Sequence, residues 1–144
     1  MNEARLSGVF GVKLPVSDLG RSRAWYEQLF ELRPIREFAD DDGVVRGVAY
    51  DVPGLGDTGL ALRERPDVAG MSGFDPVIFA IDGPAAVTAW TRRLADAGIA
   101  HSVRQGTIGR VVVFHDPDGL EIHLYSREHA IGAGTPGVGG RAVA

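Results

Sequence analysis

The sequence predicts an α+β fold built from one βαβββ unit used twice. Two observations carry that expectation. The chain overlies itself when displaced by about 65 residues, and each copy passes from period-two apolar alternation to a helical period and back to alternation. A third observation bounds the size. With 144 residues, 44% hydrophobic and 24% charged, the chain is globular and holds one ordinary domain or two small modules sharing a core.

The repeat is weak but extends through the unit. A displacement of 65 lays Val12–Val16 over Val77–Ile81, Ala24-Trp25 over Ala89-Trp90, and Leu29 over Leu94. At 64, Arg46, Val48, Tyr50 and Pro53 overlie Arg110, Val112, Phe114 and Pro117. At 62, Leu60-Ala61-Leu62 overlies Ile122-His123-Leu124. Drifting offsets are what loops of unequal length produce.

Each copy opens with a strand. Phe10, Val12, Leu14 and Val16 form one apolar face, and Val77, Phe79 and Ile81 repeat it. A helix follows. After Ser17-Asp18, Trp25, Leu29 and Leu32 mark its stripe. In the second copy Pro84 suits a first helical position, Val87, Trp90, Leu94 and Ala97 form the stripe, and Gly98 supplies a left-handed terminus. Trp25 and Trp90 are accordingly expected in the helix core. Three strands complete each unit, near residues 35–39, 45–51 and 58–63, then near 101–104, 109–115 and 120–126. Asp116-Pro-Asp-Gly119 is a turn between the last two. The expected organisation is an N-terminal extension (1–7) and a domain over 8–127, made of module one (8–63), a linker (64–75) and module two (76–127). A Gly-rich tail (128–144) follows; from Ile131 it is too poor in apolar residues to order itself alone.

Composition excludes several functions. There is no cysteine, which removes disulfides, thiolate metal sites and cysteine nucleophiles. A net charge of −4 gives no basic footprint for nucleic acid or an anionic membrane. The N-terminus lacks a secretory pattern, and the longest aliphatic stretch, Val111–Phe114, is only strand-sized. The expected location is the cytoplasm.

The segments LPVSDLGRSRAWYEQLFEL and VVVFHDPDGLEIHLYS, set in two βαβββ units, resemble the vicinal oxygen chelate superfamily over roughly residues 8–127. That superfamily includes glyoxalase I, extradiol dioxygenases, fosfomycin-resistance enzymes and bleomycin-resistance proteins. Glu31 departs from it, standing where the family usually has glycine after the first helix. The resemblance implies two curled sheets around a central cup with helices packed outside, and a homodimer. It also implies a divalent-metal site at four strand positions, here Gly11, Ala61, Pro76 and His123. Only His123 has a metal-binding side chain, and two-residue slips (Val9 or Lys13, Gly59 or Arg63, Phe74 or Ile78) supply no replacement. No metal and no other cofactor is therefore expected. A different set, His115, Glu121 and His123, shares one face of the last hairpin; its residue types suit a metal, but its spacing along the strands does not converge.

With odd strand positions facing the cup, its lining includes Gly11, Lys13, Gly47, Ala49, Asp51, Gly59, Ala61 and Arg63, then Val111, Val113, His115, Glu121, His123 and Tyr125. So many small residues leave volume for a ligand. The candidate ligand-binding residues are Lys13, Asp51, Arg63, Val111, Val113, His115, Glu121, His123 and Tyr125. Lys13, the sole lysine, either meets a ligand's acidic group or acts as a base, or else pairs with Glu121 or lies in solvent at the rim. His123 is either a general acid–base group or a hydrogen-bonded pocket histidine. Asp40-Asp41-Asp42-Gly43 reads as a solvated turn, with calcium binding the remote alternative because the rest of a calcium loop is missing, and Arg92-Arg93 reads as a solvated helix face.

The leading expectation is metal-independent sequestration of a partly aromatic or acidic metabolite or antibiotic, as in the bleomycin-resistance branch. Three rivals stand beside it. One is a metal-free isomerase, cyclase or lyase using Lys13 and His123. Another is a divalent-metal lyase or dioxygenase with an atypical site around His123. The last is a partner-binding module that docks through its tail.

Overall fold

The computed structural model describes residues 4–67 and 71–128. The chain divides into two compact units, residues 1–68 and 69–144. In the first, β1 (Gly11–Val16) leads into α1 (Leu19–Phe30), then β2 (Arg33–Ala39), β3 (Val45–Asp51) and β4 (Gly59–Glu64). Their sheet runs β1-β4-β3-β2, with β1 parallel to β4 and the other pairs antiparallel. The second unit repeats the plan: β5 (Ile78–Ile81), α2 (Gly83–Asp96), β6 (His101–Gln105), β7 (Arg110–His115) and β8 (Glu121–Ser126), in the order β5-β8-β7-β6. The α+β, two-module expectation holds.

Local chemistry explains where the elements start and stop. Asp18 caps α1 by accepting the backbone N–H of Arg21 at 3.0 Å. The helix ends at Glu31, which adopts the left-handed conformation (φ 55°, ψ 44°) that glycine takes without strain. Gly98 (φ 71°) turns the chain after α2, and Pro84 lies in that helix's first turn. At the last hairpin, buried Asp116 accepts the backbone N–H groups of Asp118 and Leu120, both at 2.9 Å, and Gly119 takes φ 83°.

In each unit one sheet face forms the core, through even-numbered strand residues except in β5, where Ile81 is the buried one. Leu14, Val16, Val48, Tyr50, Leu60 and Leu62 are buried in the first, and Val112, Phe114, Ile122 and Leu124 in the second. The helix stripes differ from expectation. α1 buries Leu19, Ser22, Tyr26 and Leu29, at spacings of three and four, so Tyr26 occupies the core and Trp25, one residue round the helix, is half-buried against its edge. In α2, Val87 and Leu94 are buried, whereas Trp90 is half-buried with Arg93 over its ring, and Ala97 is exposed at the helix end. Trp25 lies one position round the helix from Tyr26 and covers only the flank of the stripe, whereas Trp90 is in step with Val87 and Leu94 and is still half-buried, with Arg93 over its ring.

The Asp40–Gly43 turn is also more than solvated. Asp40 binds Arg63 at 2.8 Å and Arg46 at 3.0 Å, and Arg46 also binds Asp42 at 2.9 Å. The glycine-rich tail from Ile131 lies outside the described residues.

Candidate functional site

In the first unit, β1, β4 and β3 turn their odd positions away from the core. Strand pairing places Gly11 beside Gly59, Lys13 beside Ala61 and then Ala49, and Arg63 beside Gly47 and then Phe38. Five of these eight residues have no side chain or only a methyl group. A cavity of about 600 Å³ results, lined by all eight together with Phe10, Val12, Leu60 and Leu62. That volume is in the ordinary range for small-molecule sites. Its wall is apolar apart from two cations.

Those cations are held differently. Arg63 is tied at 2.8 Å to Asp40, which Arg46 anchors from the other side. The hydrogen bond from Arg63 is the main reason the Asp40 carboxyl sits below its usual range, so the tie keeps its full charge at neutral pH. Lys13 is exposed and has no ion pair among the described residues. Glu121, considered above as its partner, is instead engaged by His115 and His123. Asp51, at the exposed end of β3, is not part of the cavity wall.

The second unit has a different character. Val111, Val113 and Tyr125 are buried in an apolar cluster with Ile108 against it, and the Tyr125 hydroxyl accepts the Ile108 N–H at 3.4 Å. Beside them, β7 and β8 bring His115 opposite Glu121 and Val113 opposite His123. His123 is 1% exposed, and its Nε2 lies 2.7 Å from Glu121 Oε2. The hydrogen bond with His123 is the chief cause that holds the Glu121 carboxyl below its usual range, with Arg104 and His115 adding smaller attractions. Half-exposed His115 reaches the other oxygen of Glu121 at 3.3 Å.

Asp75 completes a group that sequence reasoning missed. Its carboxylate lies 4.0 Å from His123 Nδ1, and ligand atoms of Asp75, Glu121 and His123 lie within 4.8 Å of one another. The two-residue slips tried around Pro76 assume strand alternation. Yet β5 begins only at Ile78, and Asp75 precedes it, on a segment fastened by the Glu121 N–H to Phe74 carbonyl bond at 2.8 Å. No local signal marks it, because the Phe74–Glu121 bond and not strand alternation brings it to His123.

Over residues 8–124 the sequence matches the family described as Glyoxalase/Bleomycin resistance protein/Dioxygenase superfamily. The chain belongs to this superfamily. Among solved structures it is similar to a glyoxylase/bleomycin resistance protein/dioxygenase domain from a Frankia species. Identity there is 25%, coverage is 90% of this chain and 96% of the other, and the TM-score is 0.69. It is equally similar, at 25% identity, to TnmS3, an antibiotic binding protein from a Streptomyces species, covering 85% of this chain and 97% of that one with a TM-score of 0.67. A fosfomycin resistance protein, FosX, from Listeria monocytogenes, solved with Mn(II) and a dihydroxypropylphosphonic acid, shares the fold. Its identity is 19%, with 88% and 94% coverage and a TM-score of 0.69. No curated protein matches the sequence.

Within the superfamily, this chain does not fit the metal site that the resemblance implies. Gly11, Ala61 and Pro76 offer no donor side chain there, and His123 stands alone of the four. The oxygen and nitrogen donors that do gather, Asp75, Glu121 and His123, all come from the second unit. Among the described residues, no helix is long and apolar enough to cross a membrane.

Proposed function

We propose that this protein binds and sequesters a partly aromatic, acidic small molecule, a metabolite or an antibiotic, without needing a metal to do so. The observation that carries the reading is the cavity of the first unit, an apolar hollow floored by Gly11, Gly47, Ala49, Gly59 and Ala61 with two cations in its wall. Apolar surface there receives a ring system, and Lys13 receives a carboxylate or phenolate as a compact point charge. Arg63, already oriented by Asp40, adds a planar donor without having to be ordered on binding. The likeness to an antibiotic binding protein supports the class of ligand. A cytoplasmic homodimer belongs to the same reading, and light scattering at working concentration tests the assembly.

The test uses 8-anilinonaphthalene-1-sulfonate, a fluorescent aromatic anion, titrated into the full chain in EDTA and then displaced by a panel of aromatic acids and antibiotics. Saturable binding is expected, unchanged by the chelator, with displaced compounds recovered chemically intact. Lys13→Ala removes a charge-assisted contact worth about 1.5–3 kcal/mol, so affinity should fall at least about tenfold. Loss of binding in EDTA contradicts metal independence, and recovery of a converted compound replaces sequestration with catalysis.

A further inference from the structure

Strand pairing in the first unit sets four side chains in one row across the sheet: Lys13 opposite Ala61, Ala61 opposite Ala49, and Ala49 opposite Arg36. Strict alternation misses Arg36. The register shifts between Pro34 and Arg36, and beyond that bulge the even positions of β2, not the odd ones, share a face with Ala49 and Gly47. Neighbouring contacts agree with the switch. Glu37 turns to the helix side, where it pairs with Arg23 of α1, while Phe38 lies opposite Gly47 and lines the cavity. The Arg36 guanidinium stands over the Phe38 ring, 5.6 Å from its centroid, which keeps it beside the cavity wall. It has no ion pair among the described residues.

We propose that this row selects an elongated aromatic diacid, one carboxylate meeting Lys13 and the other Arg36, with the rings lying on the methyl groups of Ala61 and Ala49. The inference rests on the reading of the cavity as the ligand site and narrows the class of ligand. Three strand spacings separate the ends of the row, about 14 Å between Cα atoms. Two long side chains reaching inwards shorten that span to the length of two linked rings with an acid at each end. The floor suits such a body, because alanine methyls give apolar contact while leaving height for the rings. Arg63, in the next row between Pro15 and Gly47, does not take the second acid. Its guanidinium already holds Asp40 at 2.8 Å, and another carboxylate there would meet that like charge. Lys13 and Arg36 have no such internal anion, so a dianion matches both, whereas a mono-acid leaves one cation without a counter-charge.

Biphenyl-4,4′-dicarboxylate and its monomethyl ester share their rings and differ by one charge. Each is used in EDTA to displace 8-anilinonaphthalene-1-sulfonate from the full chain. The diacid should bind about fivefold more tightly than the ester, the modest gain of an exposed ion pair. Arg36 is exposed, so Arg36→Gln keeps the fold, with Tm as the check. It should bring the diacid down to the ester's affinity while ester and dye change by less than about twofold, a split that general damage to the cavity would not give. Arg36→Lys, which retains the charge, should keep most of the preference. Saturable dye binding with no preference for the diacid overturns this inference and leaves the cavity reading standing, as does a preference that survives Arg36→Gln. Absence of dye binding overturns both.

Discussion

Glu31 shows how a single residue bears a cost imposed by the fold. It closes α1 in the left-handed region, where a side chain costs about 1–2 kcal/mol relative to glycine. Glu31→Gly should therefore raise stability by roughly 1 kcal/mol after glycine's own loss of chain entropy is subtracted, read as a shift of the urea midpoint with unchanged slope. Asp116 is the opposite case. Its carboxylate satisfies two backbone N–H groups in a buried turn, so Asp116→Ala leaves both donors without that partner and should cost about 1–3 kcal/mol in the same measurement. Both positions were visible in the sequence, one as a missing glycine and the other as the Asp-Pro-Asp-Gly turn. Asp75 was not. Nothing local marks a carboxylate outside a strand as the neighbour of a histidine 48 residues later; the tie between Phe74 and Glu121 makes them neighbours.

Among the elements, the β2–β3 hairpin links electrostatics to the cavity. Asp42 is held to about 2 by the Arg46 hydrogen bond and the Val44 N–H, against an ordinary 3.8. A folded-state value below the unfolded one means that the contribution to stability is complete above about pH 4 and is lost as pH falls towards 2. Amide exchange in the hairpin should accelerate across that window, and Asp42→Asn should flatten the change. The cavity itself makes a packing prediction. Its floor faces away from the core, so Ala49→Leu fills the hollow without straining the packed side. Stability should stay within about 0.5 kcal/mol while binding of the aromatic anion is abolished, as differential scanning fluorimetry and the fluorescence titration would report. Strands and helices were legible because their periods are short-range. The partial burial of Trp25 was not, since the spacing rule finds a stripe but does not say which of two adjacent large rings, Trp25 or Tyr26, sits on it.

At the scale of the whole molecule, one βαβββ plan carries two differently lined sheet faces. Small residues at odd strand positions leave the first unit open, whereas valines and Tyr125 fill the corresponding face of the second around a buried histidine. Duplication explains how the fold was readable from a drifting repeat of about 65 residues. It also explains why function was less readable: equivalent positions have diverged, with Ala61 in one unit and His123 in the other. The candidate residues accordingly separate into Lys13 and Arg63 on the cavity and His115, Glu121 and His123 around the acidic group. The central claim is that ligand enters the first unit's cavity. A ¹⁵N–¹H correlation titration of the full chain with 8-anilinonaphthalene-1-sulfonate in EDTA tests it most directly. Shifts concentrated at Gly11, Lys13, Gly47, Ala49, Gly59 and Ala61 are the predicted result; shifts confined to the second unit, or none at saturating probe, would contradict it.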